Sequence, residues 1–141
     1  MPTLATYIAF PGNAAEAFEH YADVLGGDLQ LMRYGDTPPM EGVPFEPDPA
    51  AVAHAALTIP GGTIAGGDTM PGENYPLRDT AYSLLLTLDT IEEARAVIEK
   101  FVAGGGSINM PFEKAPWGDH YGQVFDRFDV MWAVNVEAAQ G

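Results

Sequence analysis

Three histidines, His20, His54 and His120, are the side chains whose ordinary titration lies near neutral pH, so acid–base chemistry is sought there first. The absence of cysteine removes thiolate catalysis, disulfides and cysteine zinc sites together. His54 lies in an apolar run over 52–59 whose alternation puts it on one face with Val52, Ala56 and Thr58. Two roles stay open for it: a hydrogen-bonded core imidazole, or a catalytic acid or base on a pocket wall. His20 flanks the apolar face of a predicted helix and reads as a solvated side chain. His120 follows Asp119 in a glycine-bounded turn and reads as a loop residue.

Aromatic and polar residues complete the candidate set. Trp117, next to Gly118, and Tyr121 offer broad flat rings that could either wall a ligand pocket or pack in a core, whereas Trp132, in the middle of a terminal strand, reads as core. Asp68 and Asn135 are polar groups at element ends, suited to a ligand or to a turn. The candidate ligand-binding residues are therefore His54, Asp68, Trp117, Tyr121 and Asn135. The glycine pairs and triplets lack the Lys and Ser or Thr of a phosphate loop and the spacing of a dinucleotide fingerprint, and the serines lack the glycines of a nucleophile elbow.

These residues must be positioned by a small set of elements. Residues 4–10 read as a strand stopped by Pro11-Gly12, and Asn13 with Glu16 has the spacing of a capping box. Ala17, Phe18, Tyr21, Val24 and Leu25 then recur on one helical face up to Gly26-Gly27. Strands are predicted at 28–34, 52–59 and 63–66. The intervening 35–50, with five prolines and four acids, must be a loop and is a candidate lid.

The pattern then starts over. A strand at 81–88 precedes a second capping-box pair, Thr90 and Glu93, and a helix with Ile91, Ala94, Ile98, Phe101 and Val102 on its apolar face. Three glycines end that helix, and strands follow near 107–112, 121–125 and 130–136. The expectation is one α+β domain of two βαβββ modules, about 3–67 and 81–137 with a linker at about 68–80, curled into an open eight-stranded cup around a hollow.

The chain length of 141 residues suits one domain, and no apolar run reaches the ~20 residues of a membrane helix. A net charge of −14 disfavours nucleic acid and anionic membranes as partners. The first residues lack the pattern of a secretory signal, so the cytoplasm is the expected compartment.

Several strings, taken in order, resemble the PhnB-like branch of the vicinal oxygen chelate superfamily, which also holds glyoxalase I, extradiol dioxygenases and bleomycin or fosfomycin resistance proteins. They are Tyr7-Ile8-Ala9-Phe10, Asn13, the run from Glu16 to Tyr21, Val24-Leu25-Gly26-Gly27 and His54-Ala55-Ala56-Leu57. In the second half they are Met110-Pro111, Trp117-Gly118, Tyr121-Gly122 and Asp126-Arg127-Phe128, leading to Trp132 and Asn135. The resemblance departs at Asp129, where the family usually has Gly; Asp tolerates a left-handed backbone better than most residues.

Enzymes of the superfamily hold a divalent metal on the first and last strands of each module. Here those positions fall near Thr6, Ser83, Ala65 or Gly66, and Ala133, which implies no metal and no cofactor at the ancestral site. The resemblance thus implies a homodimer that binds a small, mostly apolar or aromatic molecule. The alternative is a lyase, isomerase or dioxygenase-type enzyme, either metal-free through His54 or with ligands relocated to His54, Asp68 and loop Glu residues. The glycine-rich strand-to-helix turn favoured by methyl-donor cofactors is absent.

Overall fold

The computed structural model describes residues 2–36, 48–70, 73 and 75–138. The expected lid segment falls largely on 37–47, outside the described residues, and only its flanks are seen, a 3₁₀ turn at Tyr34–Asp36 among them. Contacts divide the chain into two compact units, Met1–Tyr75 and Pro76–Gly141, so the boundary falls inside the expected linker. Each unit runs β, α, β, β, β and carries one open four-stranded sheet and one helix, as an α+β fold of two modules requires. Among the described residues, no helix is long and apolar enough to cross a membrane.

In the first unit, β1 (Thr6–Phe10), α1 (Ala14–Leu25), β2 (Asp28–Arg33), β3 (Val52–Ile59) and β4 (Gly62–Asp68) form a sheet of order β1-β4-β3-β2. β1 pairs parallel to β4, and the hairpins on the far side are antiparallel. Helix α1 presses Phe18 and Tyr21 onto the sheet, where the Phe18 ring lies 5.9 Å from both Phe10 and Tyr21 in edge-on contacts that aromatic quadrupoles favour. Gly66 is required here: a Cβ at that position would run into the Ile8 carbonyl and come within 3.1 Å of the Phe18 ring. The row Ile8, Gly66 and Ala55 is therefore the helix side of the sheet, and by alternation Tyr7, Ala65, Ala56 and His54 lie on the other side.

The start of α1 departs from the expectation. Asn13 makes no side-chain cap, and its Oδ1 is buried without a hydrogen-bond partner. The Ala14 amide instead donates to Asp68 Oδ1 at 2.9 Å, from the far end of β4. Asn13 and Glu16 have the right spacing, but a carboxylate delivered by the neighbouring strand satisfies a different free amide, that of the first helical residue, and a charged acceptor at a helix N-terminus is favoured by the helix dipole.

In the second unit, β5 (Leu84–Thr87), α2 (Ile91–Ala103), β6 (Ser107–Lys114), β7 (His120–Phe125) and β8 (Met131–Val136) repeat the topology, with order β5-β8-β7-β6. Here the capping-box reading holds on its first half: Thr90 accepts a hydrogen bond from the Glu93 amide at 3.1 Å. Ala94, Val134 and Val136 form the buried cluster under α2, joined by Phe112. Phe101 stacks on Trp132 at 5.0 Å, so Trp132 is core, as its mid-strand place suggested. Truncating such a ring would cost about 3–5 kcal/mol.

The turn between β7 and β8 is built around Asp126, which is only 1% exposed. Its Oδ1 accepts from the Phe128 and Val130 amides at 2.8 and 3.1 Å, and its Oδ2 from the Trp132 indole at 3.0 Å. Asp129 in the same turn has φ 71°, the left-handed conformation that the resemblance to a glycine position led one to expect.

Candidate functional site

Strand alternation sorts the candidate residues. Because Trp132, Val134 and Val136 face α2, the opposite face of the second sheet carries Met131, Ala133 and Asn135 on β8. Their cross-strand partners on β7 are Phe125, Gln123 and Tyr121. This helix-free face is where the second unit offers its polar and aromatic groups.

Trp117 is delivered by a tight turn. The Ala115 amide donates to the Asp119 carbonyl at 2.7 Å, the Gly118 amide donates to the Ala115 carbonyl at 2.9 Å, and Gly118 has φ 105°, which L side chains rarely adopt. Asp119 fastens this turn to the end of β8 by accepting the Ala138 amide at 2.8 Å. The result is an indole 67% exposed, held edge-on to the Tyr121 ring at 6.4 Å. Trp117 is therefore not core.

A directed line of side-chain hydrogen bonds then runs along the face. Asn109 Nδ2 donates to Gln123 Oε1 at 2.7 Å, and Gln123 Nε2 donates to the Tyr121 hydroxyl at 3.0 Å. The two amides are thus oriented in series, and Tyr121 is the acceptor at the end. Its own hydroxyl proton is left to point elsewhere, so Tyr121 is set up as a donor to an acceptor atom placed near Trp117. Asn135 sits directly across from Tyr121 in the β7–β8 register.

Of the five expected site residues, the structure gathers Trp117, Tyr121 and Asn135 in the second unit. His54 and Asp68 belong to the first. His54 is exposed and pairs with Met32, on the sheet face away from α1. The expected company of Val52 needs correcting. A bulge opposite Met32 and Arg33 inserts one extra residue into β3, so Val52 turns into the core while His54, Ala56 and Thr58 stay together.

Asp68 is occupied with architecture: besides the Ala14 amide, it accepts the Val52 amide through Oδ2 at 2.8 Å. His120 is not in a loop as expected but opens β7, its ring 5.8 Å from Phe112. Gln123 and Asn109 were missed. Gln123 was accessible from strand alternation, two residues beyond Tyr121, whereas Asn109 lies in the irregular register of β6, which shifts between Ile108 and Met110.

The positions where the superfamily holds metal can be placed by register. Thr6 pairs with Ile64, Tyr7 with Ala65, Ile8 with Gly66, and Leu85 with Ala133, while Ser83 precedes β5. No carboxylate or imidazole stands at any of them, and among the described residues no three His, Asp or Glu side chains lie together in a metal-holding group.

The model of the glyoxalase/bleomycin resistance protein/dioxygenase superfamily matches residues 3–134. Protein YjdN of Escherichia coli (strain K12) is 30% identical, with 97% of this chain and 97% of that protein aligned. Among solved structures, protein PA1353 of Pseudomonas aeruginosa superposes with a TM-score of 0.81 at 32% identity, over 99% of this chain and 100% of that one. The PhnB protein of Bacillus cereus follows at 0.74 and 26%, over 96% and 100%. With the module topology described above, these matches mean that the chain belongs to the glyoxalase/bleomycin resistance protein/dioxygenase superfamily, in its PhnB-like branch.

Proposed function

We propose that this protein binds a small, mostly apolar or aromatic molecule on the helix-free face of its second sheet, without the metal centre common in its superfamily. The observation that carries this reading is the exposed Trp117 ring beside a Tyr121 hydroxyl oriented by Gln123 and Asn109. Exposing a large ring costs apolar hydration, and orienting a hydroxyl by two amides costs side-chain entropy. A ligand that stacks on the ring and accepts the hydroxyl proton returns both. The metal-free part of the proposal rests on the donor set: Thr, Ser, Ala and Gly at the ancestral positions do not supply the carboxylates or imidazoles a divalent ion requires.

Ligand screening by tryptophan fluorescence tests this directly, since Trp117 is the exposed one of the two tryptophans. Saturable quenching by aromatic acceptors, lost in Trp117→Phe, is expected. Retention of stoichiometric Zn, Mn, Ni or Fe after dialysis would overturn the metal-free part.

A second reading is favoured by the exposure of His54 on the helix-free face of the first sheet, where an imidazole reaches solvent and a substrate. Metal-independent acid–base turnover through His54 predicts activity abolished by His54→Ala with melting unchanged. Action as a homodimer belongs to the same proposal, and light scattering at twice the chain mass is its check.

A further inference from the structure

We propose that a cleft at the other end of the same face is a binding site for a small organic cation with a flat body, and that the chain's own Arg78, on one wall of it, now holds the place of the cationic group. The inference rests on the small-molecule reading above and adds the charge of the ligand. The cleft lies wholly within the second unit, has a volume of about 440 Å³, and is lined by Asp79, Thr80, Asn109, Phe125 and Met131 together with Arg78 itself.

Arg78 shows what the cleft accepts. Its guanidinium carbon lies 4.1 Å above the centroid of the Phe125 ring, and its Nε donates to Asp129 Oδ1 at 2.9 Å. A planar cation is thus stacked on an aromatic face and paired at its edge with a carboxylate, the two contacts by which proteins recognise amidinium and guanidinium groups. The hold is weak, because the two side chains of the pair are 45% and 54% exposed and water competes for both. A free cation bringing more apolar area than the Arg78 stem can therefore take the same place.

Charge favours a cation over an anion. Asp79 lines the cleft and Asp129 pairs with the Arg78 guanidinium on its wall, so displacing Arg78 leaves two carboxylates for an incoming cation. The whole chain, at −14, draws cations and repels anions at long range. Asp79 and Asp129 both hold left-handed backbone, φ 64° and 71°, a conformation that Asp adopts at some cost and that recurs at ligand clamps. Asn109 belongs both to the cleft and to the hydrogen-bonded line ending at Tyr121, which joins the two ends of the face.

The test uses three probes of one shape: benzamidinium, neutral benzamide and anionic benzoate, titrated by NMR into the full chain. Benzamidinium is expected to bind about fivefold or more tighter than benzamide, with benzoate weakest. Arg78→Ala, which frees the Phe125 face and Asp129, should tighten benzamidinium by about threefold to tenfold and benzamide by less, because only the cation gains Asp129. Arg78→Lys, which keeps the charge without the flat stack, should give a smaller rise. Asp129→Asn, tolerated by the left-handed turn, should weaken benzamidinium specifically.

If benzoate is the tightest ligand and Arg78→Ala weakens it, Arg78 is an anion-binding residue and the proposal is wrong. If the three probes bind alike, or Arg78→Ala does not tighten benzamidinium, the cation claim fails while the small-molecule reading stands. If none perturbs any residue of the second unit, both fail.

Discussion

The two units share one topology and solve the same local problems with different residues. In the first, the start of α1 is satisfied from afar by Asp68, whose other oxygen pins the bulged entry of β3. In the second, α2 is capped locally by Thr90, and the carboxylate that does comparable organising work, Asp126, sits in the turn before β8. The helix-free faces differ accordingly. The first presents small residues, Ala56 and Ala65, beside His54 and Tyr7, whereas the second carries the oriented line from Asn109 to Tyr121 and the raised indole of Trp117. A duplicated unit need not duplicate its chemistry, because alternation fixes which positions face outward but not which side chains occupy them.

The sharpest way to test this contrast is at the two organising carboxylates. Asp126→Ala strands two buried amides and a buried indole N–H, so urea unfolding should show a loss of about 3 kcal/mol or more. Asp126→Asn, which keeps an acceptor, should recover part of it. Asp68→Ala, at a part-buried site with two amide partners, should cost about 2 kcal/mol in the same measurement. Thr90→Ala, with one exposed cap bond, should cost about 1 kcal/mol. If Asp68→Ala costs no more than Thr90→Ala, the long-range cap is not what holds the first unit's helix.

A smaller effect lies at the end of the first unit, where the Tyr75 hydroxyl donates to Glu73 at 2.6 Å. This bond, with a second from the Met70 amide, lowers the Glu73 pKa below its ordinary 4.5, while the same carboxylate raises Tyr75 above 10.0. The pair's contribution is therefore present between those two values, lost as pH falls through the lowered Glu73 value, and lost as pH rises through the raised Tyr75 value. Glu73→Gln should bring the Tyr75 titration, followed by NMR, back towards 10.0.

The module repeat was legible because it depends on local signals: helical periodicity before Gly26-Gly27 and before the 104–106 glycines, and alternation in β3, β7 and β8. The cap of α1 was not, since its acceptor lies 54 residues away and nothing in the spacing of Asn13 and Glu16 reveals it. The bulge that separates Val52 from His54 was equally hidden, because a strand's extra residue is set by its partner's register. Tyr121 and Trp117 could be picked out by type, but the hydrogen bonds that give Tyr121 its direction need three-dimensional pairing between β6 and β7.

Uptake of a small aromatic molecule by the second sheet's helix-free face can be followed through amide and side-chain NMR shifts on adding a set of aryl ketones. Saturable shifts centred on the Trp117 indole, Tyr121, Gln123 and Asn135 are expected, reduced severalfold by Tyr121→Phe. Shifts confined to the first unit, or none at saturating probe, would rule out binding on this face.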